Sequence, residues 1–273
     1  MHDQRIVVVG GGSAGCGISR LIQQAMVEDG LSELDARRRF YIVDRFGLLL
    51  ESSQGLYPFQ KPFAQPDSVM SAWQRSNPNE ISLEDVVKNV HPTLLIGVSG
   101  QGGIFTENII REMAKHVARP IIFPLSNPTS RSEAVPSDLI KWTNEQAIIG
   151  TGSPFGEIQK GGKLFRVDQT NNCYIFPGMG LGLIVIKAKI VTDKMFMVAA
   201  KALADCSPAR LNPNANLLPP LATIRDVSLQ VAIAVAKEAI ATGNTYLAAS
   251  PDHIEDYLQK YMWQPYYLPY KKE

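Results

Sequence analysis

Wholly apolar runs alternate with amphipathic stretches over roughly the first 150 positions of the chain. Ile6–Val9 is continuously β-branched and predicts a strand buried on both faces. Apolar residues Ile18, Leu21, Ile22, Ala25 and Met26 then recur at i, i+3, i+4, i+7 and i+8, the stripe of a helix spanning about Ala14 to Glu28. Ser32-Glu33-Leu34-Asp35 resembles a capping box opening a short helix, and Phe40–Val43 is a second buried strand that ends in Asp44. Residues 51 to 80 hold four prolines and little periodicity, so they predict a surface excursion. Beyond it, Ser82 is expected to cap a helix through Asn89. Leu94–Val98 is a third strand, and Thr106 is expected to cap the helix ENIIREMAKHV. Pro120–Leu125 and Ala147–Gly150 complete the strands, each ending in a loop of small or polar residues.

Strand, loop and helix repeating with short connections predicts an α/β fold, a Rossmann-type doubly wound parallel sheet with a C-terminal helical segment. The domain boundary is expected at 176/177. From Pro177 the pattern turns helical: GLGLIVIKAKIV, DKMFMVAAKALADC, a proline loop, IRDVSLQVAIAVAKEAIA stopped by Gly243, and a last helix from Asp252 to Gln259.

Composition narrows the class. A net charge of +1 with scattered Lys and Arg gives no reason to expect nucleic acid or an anionic membrane as partner. Cys16, Cys173 and Cys206 are far apart and form no CxxC, so a reducing, cytoplasmic setting is expected and a zinc site is not. No apolar run approaches the roughly 20 residues of a membrane span.

The chemistry gathers at strand ends. Gly10-Gly11-Gly12-Ser13-Ala14-Gly15 fits GxGxxG between a strand and a helix, the layout of a dinucleotide cradle. Gly10 suits the tight turn, Gly12 the approach of a pyrophosphate, and Gly15 close packing of helix on strand. Asp44 ends the second strand, where an acid would accept hydrogen bonds from ribose hydroxyls and repel a 2′-phosphate. That favours NAD over NADP, although Arg45 beside it pulls the other way. In an open parallel sheet ligands sit at the carboxyl ends of strands, so Ser99-Gly100, Ser126-Asn127-Pro128 and Gly152-Ser153-Pro154 join the candidates. Asn127 offers a donor and an acceptor, but Asn-Pro taken alone is more often a turn than a ligand site, and Asn171-Asn172 taken alone reads as a loop.

Six segments carry a resemblance. VVVGGGSAGCGI, YIVDRFGLL, LLIGVSGQGGIFT, RPIIFPLSNPTSRSE, GTGSPFG and QTNNCYIFPGMGLG together resemble the nicotinamide-binding domain of malic enzymes, and LPPLATIRDVSLQVAIAV continues it. The resemblance implies NAD-dependent oxidative decarboxylation of L-malate to pyruvate and CO2, assisted by Mg2+ or Mn2+. It further implies that residues 10–14 hold the pyrophosphate and Asp44 the adenosine ribose. Asn127, Asn171 and Asn172 would meet malate and nicotinamide. Gln60 matches a position where NADP-using members tend to carry lysine. The family's base, proton donor and metal carboxylates precede the glycine loop, so the expectation is a cofactor-binding portion with no metal site of its own. It would be inactive alone and would form a homo-oligomer through apolar helices around Leu181–Ile190 and Val227–Ala241. The acidic pairs Glu28-Asp29, Glu84-Asp85 and Glu255-Asp256 are read as solvated helix faces. An amino-acid dehydrogenase would need a catalytic lysine beside a glycine-rich substrate loop, and no such arrangement is found. A non-catalytic NAD-responsive module stays open.

Overall fold

The computed structural model describes residues 1–78, 80–247, 253–267 and 269–270. The chain divides into two compact units, Met1–Thr170 and Asn171–Glu273.

In the first unit the strands are β1 (Ile6–Val9), β2 (Phe40–Asp44), β3 (Gly47–Leu48), β4 (Leu94–Gly97), β5 (Ile121–Pro124), β6 (Ile148–Thr151), β7 (Ile158–Lys160), β8 (Lys163–Phe165) and β9 (Asp168–Gln169). The main sheet runs β3-β2-β1-β4-β5-β6-β9, parallel except for β3, while β7 and β8 form a separate antiparallel hairpin. The helices are α1 (Ser13–Glu28), α2 (Glu33–Arg37), α3 (Asp67–Met70), α4 (Leu83–Val90), α5 (Glu107–His116) and α6 (Pro136–Trp142).

The unbroken apolar run of β1 follows from burial on both faces. Ile6 and Val8 point into a core with Cys16, Met26, Phe40 and Ile42, whereas Val7 and Val9 meet Val86, Leu95, Ile110 and Leu139 on the other side. From β1 the chain steps outward to β2, then crosses back to lay β4 on the other flank of β1. That reversal of strand order opens a crevice at the carboxyl ends of β1 and β4, where ligands of doubly wound sheets bind. The sheet is thus the expected Rossmann-type α/β arrangement.

Local chemistry sets the helix ends. Ser32 accepts from Asp35 N–H at 3.0 Å, as its spacing predicts. Ser82 and Asp85 form a full capping box on α4. Asp85 corrects the reading of Glu84-Asp85 as a solvated pair, being only 2% exposed. It takes hydrogen bonds from Ser76 N–H and hydroxyl, both at 3.0 Å, and from the Ser82 hydroxyl at 2.8 Å. Burial pushes its carboxyl upward, but these bonds outweigh burial and leave it below the ordinary aspartate range. Thr106 sits at the start of α5 in extended backbone, yet its side chain makes no capping bond, contrary to expectation.

The second unit contains α7 (Phe176–Val185), α8 (Asp193–Asp205), α9 (Ile224–Ala241) and α10 (Ile254–Tyr261). It begins before the expected boundary because Tyr174 is part of its core and donates its hydroxyl to Pro219 O at 2.7 Å. α7 stops at Val185, short of the helix read through Val191, since Lys187 turns left-handed at φ 52°. Gly243 closes α9 as expected. Asp252, the expected start of the last helix, lies outside the described residues. α9 does not offer the exposed apolar face anticipated for it: Val227, Val231, Val235 and Ala239 are buried against Met179, Val185 and Met195 of their own unit. Gly178 and Gly182 let α7 close on α9, a Cβ at Gly178 standing 2.4 Å from Ser228 O. On this unit Ile184, Ile190 and Val191 remain exposed.

Candidate functional site

The Gly10–Gly15 loop is built by contacts that exclude side chains. Gly10 takes φ +111°, a conformation L residues rarely adopt, and a Cβ there would lie 2.6 Å from Val98 O. Its N–H donates to Val43 O at 2.8 Å, tying the loop to the end of β2. At Gly15 a Cβ would fall 1.9 Å from Gly10 O, so only glycine lets α1 start against the loop. Gly12 is different. Nothing lies within 4 Å of where its Cβ would be, and the residue is exposed with Ser13 and Ala14. No side chain caps α1 and its first turn holds no acid, so the free N–H groups and positive dipole end face open space. Such a terminus is suited to an anion.

Asp44 stands beside this opening. Its Oδ1 accepts from Arg45 N–H at 2.9 Å, and Gln60 Nε2 approaches its Oδ2 at 3.4 Å. Gln60 is a buried strut rather than a surface residue: Nε2 also donates to Gly11 O at 2.8 Å, while Oε1 accepts from Tyr57 N–H at 2.9 Å. One side chain therefore holds the glycine loop and the strand-end acid together. Arg45 is exposed and lies over the Phe46 ring at 4.9 Å. Cys16 is buried under the loop, and burial, reinforced by Asp44, pushes its thiol up to about 11. It packs and does not react.

Val9, Val43, Leu83 and Ile104 line a cleft of about 270 Å³ with Asp44, Ser99 and Gln101 at the polar side. The elements that meet there are the ends of β1, β2 and β4, with the start of α4. Ser99 and Gly100 belong to the loop after β4. Asn127 is exposed after β5, its peptide to Pro128 is cis, and its Oδ1 accepts the Ser153 hydroxyl, leaving Nδ2 to donate elsewhere. Asn171 and Asn172 open the second unit. There Asn171 Oδ1 accepts from Cys173 N–H at 2.9 Å as a local cap, and Asn172 is exposed. The structure thus brings Gly10–Gly15, Asp44, Arg45, Gln60, Ser99 and Gly100 into one region of the first unit. Leu83, Gln101 and Ile104 were not legible as lining, because only the sheet order carries them there. Glu133, which bonds both Ser99 and Ser126, was also missed.

The family model described as "Malic enzyme, NAD binding domain" matches residues 1–240. The chain belongs to the malic enzyme NAD-binding domain family. It is 53% identical to the NAD-dependent malic enzyme of Acinetobacter baylyi, covering all of this chain and 48% of that protein. It is 49% identical to NAD-dependent malic enzyme 1 of Vibrio vulnificus, again covering 48% of the relative. The chain therefore spans about half the length of the curated relatives it matches. Among solved structures, the Entamoeba histolytica malic enzyme superposes with a TM-score of 0.71 at 22% identity, over 95% of this chain and 47% of that one. The Pyrococcus horikoshii malic enzyme gives 0.68 at 22% identity, over 94% and 53%. At that identity the likeness is one of fold. As an NAD-binding domain of the malic enzyme family, the chain has its glycine loop and switch-point crevice where the fold requires them.

Proposed function

We propose that this chain holds NAD for the oxidative decarboxylation of L-malate to pyruvate and CO2. The observation that carries the reading is the uncapped N-terminus of α1, with open space at Gly12, set beside the Asp44 carboxylate. Residues 10–15 would take the pyrophosphate through backbone N–H groups, and Asp44 the hydroxyls of the adenosine ribose. The cleft between Val9, Val43, Leu83 and Ile104 would receive the adenine. When bound, NAD supplies the hydride acceptor for C2 of the hydroxy acid. Asn127 would orient the carboxamide by hydrogen bonds; Asn171 and Asn172, in the second unit, are each candidates for malate on their own chemistry. The Asp44 carboxylate repels a 2′-phosphate, which favours NAD over NADP, and Gln60 adds no compensating cation.

The residues described do not fit the divalent cation of the reaction: among them no group of three or more His, Cys, Asp or Glu is placed to hold one. Its ligands are not assigned to these residues. The 273-residue polypeptide is expected to bind NAD in titration calorimetry and to give no NADH absorbance with malate and Mn2+. Absence of NAD binding at millimolar concentration would overturn the cofactor assignment, and metal-dependent NADH formation would overturn the division of labour.

Self-association is part of the same proposal, on Ile184, Ile190 and Val191 of the second unit. Light scattering is expected to return more than one chain per particle, and a monomer at high concentration would count against it. Cytoplasmic residence is proposed on the three cysteines, all of which are free thiols. No helix among the described residues is long and apolar enough to cross a membrane.

A further inference from the structure

The loops after β4 and β5 meet over one buried acid. Glu133 is 0% exposed. Its main chain is fixed first, with Gly103 N–H donating to Ser132 O at 3.1 Å and Phe105 N–H to Glu133 O at 2.9 Å. The side chain then gathers donors from both loops. Oε1 accepts the Ser99 N–H at 2.9 Å, the Ser99 hydroxyl at 2.8 Å and the Ser126 hydroxyl at 2.5 Å. Oε2 accepts the Ser126 N–H at 3.3 Å.

Neither hydroxyl is free to turn away. Ser126 Oγ accepts from Gly100 N–H at 2.9 Å and Ser99 Oγ from Gln101 N–H at 3.1 Å, so the proton of each is committed to the acid. Every group facing Glu133 in these bonds is a donor. Gly97 makes the room: a Cβ there would stand 2.5 Å from Glu133 Cδ. A buried carboxylate is expensive unless its hydrogen bonds are complete, and a purely apolar plug would have been cheaper.

The two loops it joins carry Ser99–Gly100 and Asn127. In a doubly wound sheet the dinucleotide spans two halves. With Asp44 at the end of β2 taking the adenosine side, the nicotinamide side lies towards β4 and β5. We infer that Glu133 is a positioning residue for the nicotinamide half of the dinucleotide, locking the Ser99–Gly100 and Ser126–Asn127 loops into a single relative arrangement. The inference rests on the proposed reading of the crevice as an NAD site.

Glu133→Gln tests it in the full 273-residue chain. The carboxamide keeps the volume but turns one acceptor into a donor facing a donor. Titration with NAD and with adenosine 5′-monophosphate separates the two halves. The variant is expected to bind NAD roughly tenfold more weakly while its affinity for the monophosphate stays within about twofold. A residue that only holds the fold would move both ligands or neither, and either result overturns the inference. Should Glu133→Gln fail to fold, Ser126→Ala removes the hydroxyl linking Glu133 to Gly100 and is expected to give the same split at about threefold or more. Equal NAD affinity in that variant overturns the inference as well. Failure of the unaltered chain to bind NAD would instead overturn the cofactor reading beneath it.

Discussion

Gly15→Ala is expected to lower the stability of the first unit by about 3 kcal/mol or more and to weaken NAD binding at least about tenfold. The added methyl would lie 1.9 Å from Gly10 O and 3.3 Å from Val8 Cγ1. The nearer neighbour is main chain and has no rotamer into which it can retreat. Gly10 itself is anchored by its N–H to Val43 O, so relief must come from moving the start of α1. That motion carries the N–H groups of Ser13 and Ala14 away from the pyrophosphate position. Thermal denaturation of the variant is expected to fall by about 10 °C. An unshifted transition with unchanged NAD affinity would show that the loop has slack this geometry does not contain.

Asp44→Ala carries the second large effect. A carboxylate accepting from two ribose hydroxyls makes two hydrogen bonds to a charged group, each worth about 1.5–3 kcal/mol. Their loss is expected to weaken NAD binding by at least about 100-fold. Stability should change little, because Asp44 is half-exposed and its firm protein bond is to its neighbour's N–H. The penalty against NADP should shrink in the same variant, since the repelling charge is gone. Calorimetry with both dinucleotides checks the two statements together. Unchanged NAD affinity would remove Asp44 from the site.

Much of this arrangement was legible from residue order, and the exceptions have physical causes. β1, α1 and β2 sit where apolar runs and the helical stripe put them, because two-faced burial leaves a strong signal. The strand-end loops announced themselves through glycine, serine and asparagine. The β7–β8 hairpin did not, for Ile158–Lys160 and Lys163–Phe165 are short, half-exposed strands with little apolar contrast. α6 was not read at all, although Pro136 stands at a first helical position, where proline begins a helix.

The overestimated exposure of α9 has a different origin. Its apolar residues encircle the helix more fully than one stripe, and the partners that bury them, Met179 and Met195, are remote in sequence. Asp85 and Glu133 share a cause too. Nothing in a one-dimensional pattern distinguishes an acid surrounded by donated hydrogen bonds from one bathed in water. Only serines nearby give a clue, Ser76 and Ser82 for the first, Ser99 and Ser126 for the second.

The two margins of the main sheet have a consequence for how copies of this chain can meet. One margin is β3, with only Gly47 and Leu48 in the ladder, and the other is β9, with only Asp168 and Gln169. Long unpaired margins invite a foreign strand to add itself and are a common route to fibres, while stubs this short offer too few backbone donors and acceptors in line to template one. Orderly assembly through side chains is left unopposed by that competing route, even when the chain is crowded.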